Sequence, residues 1–222
     1  MRRWGWLVVC VFLLVAPRAI AGAITVEGLT FTDERGGFRL LDVSGDGSTE
    51  HPFVVVEDVI DTGPAILTIY GLSAGFGNRI HTQHLTGFAM IKIAINHSNR
   101  TWLQYHLELR EVDRSASPYS DGLSFGQAAS VRDFVSSAFT AVEVTDEPYD
   151  AVSFSDGSVP VGEKSSFRIM VTDASPSPQI LLLQEAYDPL SAAGCAVAGR
   201  GERIIGLLQQ QDLRARDRKS VV

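Results

Sequence analysis

The stretch GFAMIKIAINHSNRTWLQYHLELRE, residues 87–111, decides the fold class. Apolar side chains recur at every second position in both halves: Ala89, Ile91, Ile93 and Ile95, then Leu103, Tyr105, Leu107 and Leu109. A period of two places successive side chains on opposite faces of a β-strand. The polar segment 96–100 is typical of a turn. The stretch therefore predicts two paired strands, 87–96 and 101–111, with Trp102, Gln104, His106, Glu108 and Arg110 on the face of the second that is mostly turned to water.

The same pattern continues along most of the chain. Further strands are predicted at 38–43, 53–56, 65–70, 138–144, 151–154, 166–172 and 180–184. Long helical patterns are missing, and the one helix expected, over 127–136, is short enough to be a connection between sheets. About ten short strands without alternating helices predict an all-β fold, an antiparallel β-sandwich.

Local irregularities are also predicted. Apolar parity changes between residues 24–26 and 29–31, which indicates a β-bulge at Gly28. Asp-Gly pairs at 46–47, 121–122 and 156–157 predict turns.

Residues 1–21 have the organisation of a secretory signal peptide. Arg2 and Arg3 precede an apolar run over 4–16, and the small-residue site at 19–21 predicts cleavage after Ala21. The run is shorter than the roughly 20 residues of a membrane-spanning helix. We expect a signal peptide at 1–21, a β-sandwich domain at 22–190 and a basic tail, frayed or weakly helical, at 191–222. The mature chain is expected outside the cytoplasm, in the periplasm or the medium, with no membrane span.

Charge is distributed unevenly along the chain. Residues 22–190 hold ten basic and twenty-three acidic side chains, a net charge of −13, whereas residues 191–222 have a net charge of +3. Nucleic acids and anionic lipids bind basic surfaces, so the acidic body argues against both as partners. Cys195 is the single cysteine after residue 21. The mature chain therefore has no intrachain disulfide, and its fold must rest on burial.

Two segments match G-x-S-x-G, residues 71–75 and 122–126, centred on Ser73 and Ser124. In serine hydrolases such a motif turns a strand sharply into a helix and exposes the serine oxygen. The residues after the first match favour a loop, and the second follows a loop. The favoured interpretation is a glycine-rich connection between strands, and a hydrolase that uses Ser73 is the alternative.

His81 and His84, spaced H-x-x-H, offer two imidazoles to a zinc ion if the segment turns helically, with His97 or a carboxylate as a third ligand. Glycine and asparagine nearby favour a loop with exposed histidines instead.

Residues 42–47, DVSGDG, begin like a calcium-binding loop, with Asp42 and Asp46 as candidate ligands. Phe53 stands where such a loop needs its bidentate carboxylate, so an acidic hairpin turn is favoured. Calcium in the inter-strand loop 146–150 with Asp156 is a further alternative. No cofactor is expected unless calcium binds.

Four residues are candidates for ligand binding. Trp102 has the parity of the outward face of its strand, where we expect it to cover a second packed layer, and contact with a ligand is the alternative. His106 shares that face. Asn96 and His97 lie in the expected turn, where 96–98 and 99–101 match the N-glycosylation pattern and so favour exposure.

Residues 31–41, FTDERGGFRLL, and 45–57, GDGSTEHPFVVVE, resemble uncharacterised exported proteins of Gram-negative bacteria. VPVGEK at 159–164 and FRIMVT at 167–172 resemble closing strands of extracellular sandwich domains. The resemblance implies an exported β-sandwich and brings no assigned activity or site residues.

These observations favour a non-enzymatic exported β-sandwich that binds a protein, a surface glycan or an envelope component. Two other functions stay open: an extracytoplasmic hydrolase that uses Ser73 or a metal at His81 and His84, and a calcium-stabilised structural module.

Overall fold

The computed structural model describes residues 22–61, 63–110, 112, 122–126, 129–145 and 150–187. Within these ranges the chain forms thirteen β-strands and no α-helix, arranged in two sheets around one main hydrophobic core. The predicted all-β sandwich is therefore confirmed. The expected signal peptide at 1–21 and the tail at 191–222 lie outside the described residues.

The first sheet has seven strands, and every neighbouring pair is antiparallel. Its strands, in chain order, are β1 (Ala23–Val26), β2 (Leu29–Thr32), β5 (Ala65–Tyr70), β7 (Gln104–Arg110), β10 (Phe139–Thr145), β11 (Ala151–Gly157) and β13 (Gln179–Tyr187). The spatial order is β1-β2-β5-β13-β7-β11-β10, so β7 and β11 lie inside the sheet.

The second sheet has six strands in the described residues. They are β3 (Phe38–Ser44), β4 (Phe53–Val59), β6 (Thr86–Asn96), β8 (Leu123–Ser124), β9 (Val135–Ser136) and β12 (Lys164–Asp173). The spatial order is β3-β4-β6-β12-β8, with β9 also paired to β12. Strands β4 and β6 run parallel, because the chain visits the first sheet as β5 between them.

Aromatic side chains join the two sheets across the core. Phe167 of β12 lies 4.2 Å from the ring centroid of Tyr105, 5.0 Å from Phe154 and 6.0 Å from Phe139, all on the opposite sheet. A second group surrounds Phe53 and includes Phe31, Phe88 and Phe76. Such offset and edge-to-face contacts stabilise a core beyond the burial of area alone.

The predicted pairing of residues 87–96 with 101–111 is wrong. Strand β6 pairs with β4 and β12, whereas β7 pairs with β13 and β11 in the other sheet. The segment between them crosses from one sheet to the other. The physical reason is Asn96, which is buried and donates from its amide nitrogen to the carbonyls of Arg100 and Val159, each at 2.8 Å.

The β-bulge predicted at Gly28 is a tight turn instead. Strands β1 and β2 form a hairpin in which Val26 pairs with Leu29. The two turn residues, Glu27 and Gly28, have φ values of 52° and 87°, as a two-residue hairpin turn with matching twist requires. A change of strand therefore explains the change of parity. A register shift does occur elsewhere, between Leu40 and Asp42 in the β3–β4 pair.

The helix predicted over 127–136 is also wrong. Residues 127 and 128 lie outside the description, Ala129–Val131 form one turn of 3-10 helix, and Val135–Ser136 form β9. The pair at 156–157 lies within the end of β11, where Gly157 pairs with Phe139, and so is not a hairpin turn.

Candidate functional site

Trp102 is packed in the main core, so it is covered as the favoured interpretation expects, although by the core and not by a second layer. The side chain is fully buried, its indole Nε1 donates to Ser98 Oγ at 3.1 Å, and its ring lies 5.5 Å from that of Tyr105. The residue precedes β7 in the crossing segment, so it does not follow the strand's alternation. A buried indole with its donor satisfied supports packing.

Asn96 is likewise a structural residue and not part of an exposed binding turn. It is completely buried, and its Oδ1 accepts hydrogen bonds from both the backbone nitrogen and the hydroxyl of Ser98. Its amide nitrogen makes the two bonds described above, so the side chain has no polar capacity left for a ligand.

His97 is exposed, and its Nδ1 contacts Asp58 Oδ1 at the end of the six-stranded sheet. Asp58 also lies 4.0 Å from Arg39. His97 therefore belongs to a surface group with Asp58 and Arg39 at the six-stranded sheet. His106 lies in β7 of the other sheet, so the two histidines do not share a binding surface.

His81 and His84, two of the candidate metal ligands, lie in the segment between β5 and β6. His81 is exposed with φ of 58°, and His84 is half-buried. Burial lowers the pKa of His84 although the charge of Asp173 opposes this. Among the described residues no group of three or more histidine, cysteine or carboxylate side chains is placed to hold a metal ion.

The acidic turn at 42–47 makes local contacts. Asp42 is exposed within β3, and Asp46 Oδ1 accepts from the backbone nitrogen of Ser48 at 2.8 Å. Asp46 also lies 4.0 Å from the imidazole of His51. The second calcium alternative includes residues 146–149, which lie outside the described residues.

Neither G-x-S-x-G segment forms the strand-to-helix elbow. After β5, Gly71 has φ of 95°, and the backbone nitrogen of Phe76 donates to the carbonyl of Ser73 at 2.9 Å, which closes a turn. Ser124 lies in β8, and its hydroxyl is 3.1 Å from that of Thr172.

The outer face of the seven-stranded sheet carries a polar row that crosses four neighbouring strands. Direct pairing partners are Glu143 with Ser153, Ser153 with His106, and His106 with Glu185. Because directly paired residues project from the same face, these four side chains form one line across β10, β11, β7 and β13. We call this line the polar row.

His106 occupies the centre of the polar row and is fixed from two sides. Its Nδ1 is 2.9 Å from Ser153 Oγ, and its Nε2 is 4.0 Å from Glu108 Oε2. Glu108 is two residues further along β7, so it lies on the same face of the strand as His106. Arg110 Nη2 donates to that carboxylate oxygen at 2.6 Å. Burial acts to raise the pKa of Glu108, but the interactions with the nearby His106 and Arg110 outweigh burial, and the pKa falls below its usual value. The lowered pKa favours the anionic form of Glu108 beside the imidazole.

Ser153, His106 and Glu108 have the residue types of a nucleophile, a base and an orienting acid. Acyl transfer also needs hydrogen-bond donors for the oxyanion, normally backbone N–H groups beside the nucleophile. Ser153 lies in β11, which is paired on both sides, so ladder hydrogen bonds occupy the backbone around it. The arrangement therefore supports polar recognition better than acyl transfer.

A second polar group, which the sequence analysis missed, lies in the core. The side chains of Lys92 and Glu57 are both completely buried, with zero accessible area. Lys92 Nζ contacts Glu57 Oε2. Tyr105 and Gln184 of the opposite sheet are also buried and joined by a 2.8 Å hydrogen bond. The available signal was the parity of Glu57 with Phe53 and Val55, which are core residues.

Comparisons of the chain with protein-family models, with curated proteins and with solved structures found no match. The resemblance to exported Gram-negative proteins therefore stays a prediction. In the described part of the chain no helix has the length and apolar character needed to cross a membrane.

Proposed function

We propose that this chain is an exported, non-enzymatic β-sandwich that binds a partner protein through the polar row on its seven-stranded sheet. The observation that carries the proposal is the fixed central imidazole with a carboxylate near each end of the row. His106 is held by Ser153 and Glu108, and its side chain is 23% exposed. Preorganised polar groups lose little entropy on binding.

The charge of the row and of the body favours a partner with basic side chains. Glu143 is exposed and Glu185 half-exposed, and the body has the net charge of −13 given above. Complementary charge increases the rate of encounter and selects the orientation of the complex. Glycan recognition on a flat face usually uses exposed aromatic rings. The carboxylates of Glu143 and Glu185 instead suit the basic side chains of a protein, so a protein is the proposed partner.

Export is supported by the residue that would follow the predicted cleavage site. The backbone nitrogen of Gly22 lies 2.6 Å from Asp33 Oδ1, and Asp33 is 8% exposed. Cleavage after Ala21 converts this nitrogen into an ammonium group, whose charge the carboxylate matches. Amino-terminal sequencing of the chain from its native host tests this step. Gly22 as the first residue is expected, and an intact Met1 would contradict export.

The binding proposal is tested by affinity capture from the envelope fraction of the native host with charge-matched variants. In the test variant Glu143→Gln is combined with Glu185→Gln. In the control variant Glu50→Gln is combined with Glu163→Gln, at two exposed positions in loops of the six-stranded sheet. Two peripheral charges contribute about 1–2 kcal/mol together, so the captured partner should fall about fivefold to thirtyfold with the test variant only. Equal recovery with both variants would refute the polar row as the binding surface.

A serine hydrolase is the second candidate, favoured by the 2.9 Å contact between His106 Nδ1 and Ser153 Oγ. The test is turnover of a panel of activated esters by the purified mature chain and by Ser153→Ala. Turnover that Ser153→Ala abolishes would establish the hydrolase and overturn the binding proposal. Absent turnover, or turnover that Ser153→Ala does not change, removes this candidate.

A further inference from the structure

Lys92 and Glu57 lie side by side on parallel strands inside the sandwich. In the β4–β6 pairing, Val55 is opposite Lys92 and Glu57 is opposite Ala94. Glu57 and Lys92 are therefore diagonal neighbours on the face that lines the core. Their side chains meet at Nζ and Oε2.

The pair is shielded from solvent and lies beside an aromatic ring. Both side chains have zero accessible area, and the Phe38 ring centroid is 5.9 Å from Lys92 Nζ. The other carboxylate oxygen, Glu57 Oε1, has no hydrogen-bond partner in the described residues. The hydroxyl of Tyr105 is committed to Gln184 at 2.8 Å.

An ion pair is expensive under these conditions. Burying two charges is compensated only when the remaining protons and lone pairs are also satisfied. Here one carboxylate oxygen lacks a partner, so the charged state is poorly compensated. A product without charges would remove that cost.

We propose that Lys92 and Glu57 become joined by an intramolecular amide bond after the chain folds. A proton first passes from the ammonium group to the carboxylate, which gives a neutral amine and a carboxylic acid. The Nζ lone pair then attacks Glu57 Cδ. The C–O bond to the hydroxyl group breaks, this group takes a proton from Nζ, and one water molecule leaves. No oxidant or other reactant is needed.

Two features favour this reaction, one through the neutral amine and one through the stability of the product. Burial lowers the pKa of Lys92 although the charge and hydrogen bond of Glu57 oppose this. Exclusion of bulk water also removes the reactant of the reverse hydrolysis. Cys195 is the single cysteine after residue 21, so the chain that the predicted cleavage leaves could form no disulfide within itself. The proposed bond would close a covalent loop between β4 and β6.

The first test is the mass of the mature chain purified from its native host. The bond predicts a mass about 18 Da below that of the sequence, the loss of one water. Dehydration at an Asp-Gly pair gives the same mass change, so peptide mapping must follow.

Trypsin separates residues 40–79, 80–92 and 93–100, because cleavage follows Arg39, Arg79, Lys92 and Arg100. An amide on Nζ prevents cleavage after Lys92 and joins residues 40–79 to residues 80–100 in one branched peptide. Recovery of this peptide is the expected result. A mature chain with the mass calculated from its sequence, without the loss of about 18 Da, would overturn the proposal. Free peptides 40–79 and 80–92, or a loss of mass without the branched peptide, would also overturn it.

Variants provide the control. Lys92→Met combined with Glu57→Leu removes both reacting groups without leaving a buried charge alone, and it should have the full mass calculated for its sequence. Lys164→Met changes an exposed lysine and should retain the branched peptide. Loss of the branched peptide from Lys164→Met would show that the bond does not depend on Lys92 alone and would overturn the proposal. If the double variant fails to fold, the peptide map of the unchanged chain still decides whether the bond exists.

Discussion

Replacing Phe167 by alanine should destabilise the sandwich more than any comparable change outside this aromatic group. Phe167 is fully buried and stands between the two sheets, with three ring contacts to the opposite sheet. Truncating a buried phenylalanine costs about 3–5 kcal/mol through lost transfer energy and the cavity left behind. Domains have a total stability of about 5–15 kcal/mol, so the loss is a large part of the whole.

Urea unfolding followed by tryptophan fluorescence measures this loss. Trp102 is the single tryptophan after residue 21 and lies in the same core, so its emission reports unfolding directly. With a urea m-value of about 2 kcal/mol/M, the midpoint of Phe167→Ala should fall by about 1.5–2.5 M. The m-value itself should stay unchanged if both states keep their extent of exposure.

Phe76→Ala is the matched control, because it makes the same chemical change at a half-buried ring near the edge of the core. It should cost about 1–2 kcal/mol, since only part of the ring is withdrawn from water. Equal losses for the two variants, or a loss below 1 kcal/mol for Phe167→Ala, would refute the packing of the two sheets through Phe167.

Three further perturbations follow from the structure. Gly157→Ala would place its Cβ 1.9 Å from the carbonyl oxygen of Ala138, so it should lower the melting temperature markedly. In the control Gly162→Ala the Cβ meets no atom within 4 Å, and the destabilisation comes only from the positive φ. Equal decreases in melting temperature would contradict this packing. Asn96→Ala removes the four hydrogen bonds of a buried amide, two donated to the carbonyls of Arg100 and Val159 and two accepted from Ser98. It should cost about 2–4 kcal/mol in urea unfolding, against less than about 0.5 kcal/mol for an exposed substitution such as Asn99→Ala. Because the pKa of Glu108 is lower in the folded chain, this group contributes stability that is fully present above the unfolded pKa near 4.5 and is lost as pH falls through the folded pKa. Glu108→Gln should therefore reduce the loss of unfolding free energy at acid pH. An unchanged loss would exclude Glu108 as a cause of the acid destabilisation.

Alternation of apolar residues was sufficient to predict the strands and the fold class, but not their partners. Strands β6 and β7 are each well predicted, yet they belong to different sheets, because Asn96 turns the chain across the core instead of into a hairpin. Pairing depends on contacts far apart in sequence, such as β6 with β12. A pattern read along one segment holds no information about those contacts.

Alternation of the isoleucines predicts the wrong buried face for β6. Ile91, Ile93 and Ile95 are half-buried, whereas Lys92 lies on the fully buried face. A lysine on a core face is normally too costly to expect, and here it contacts Glu57 on the neighbouring strand. This polar group was invisible until the pairing of β4 with β6 was known.

The candidate site shows a similar division. The shared face of His106, Glu108 and Arg110 follows from the period of one strand, and the structure places their contacts on that face. Glu143, Ser153 and Glu185 join them only through the registers of three strand pairs. The single-strand part of the site was therefore predictable, and the assembled row was not.

The central claim, that the polar row contacts a partner protein, is tested most directly by photo-crosslinking in the native host. A photoreactive amino acid is placed at position 185 or 143 of the row, and at position 163 or 50 of the six-stranded sheet as controls. Irradiation should give one discrete adduct from the row positions and none of the same mass from the controls. No adduct from either row position, or the same adduct from all four positions, would contradict the claim.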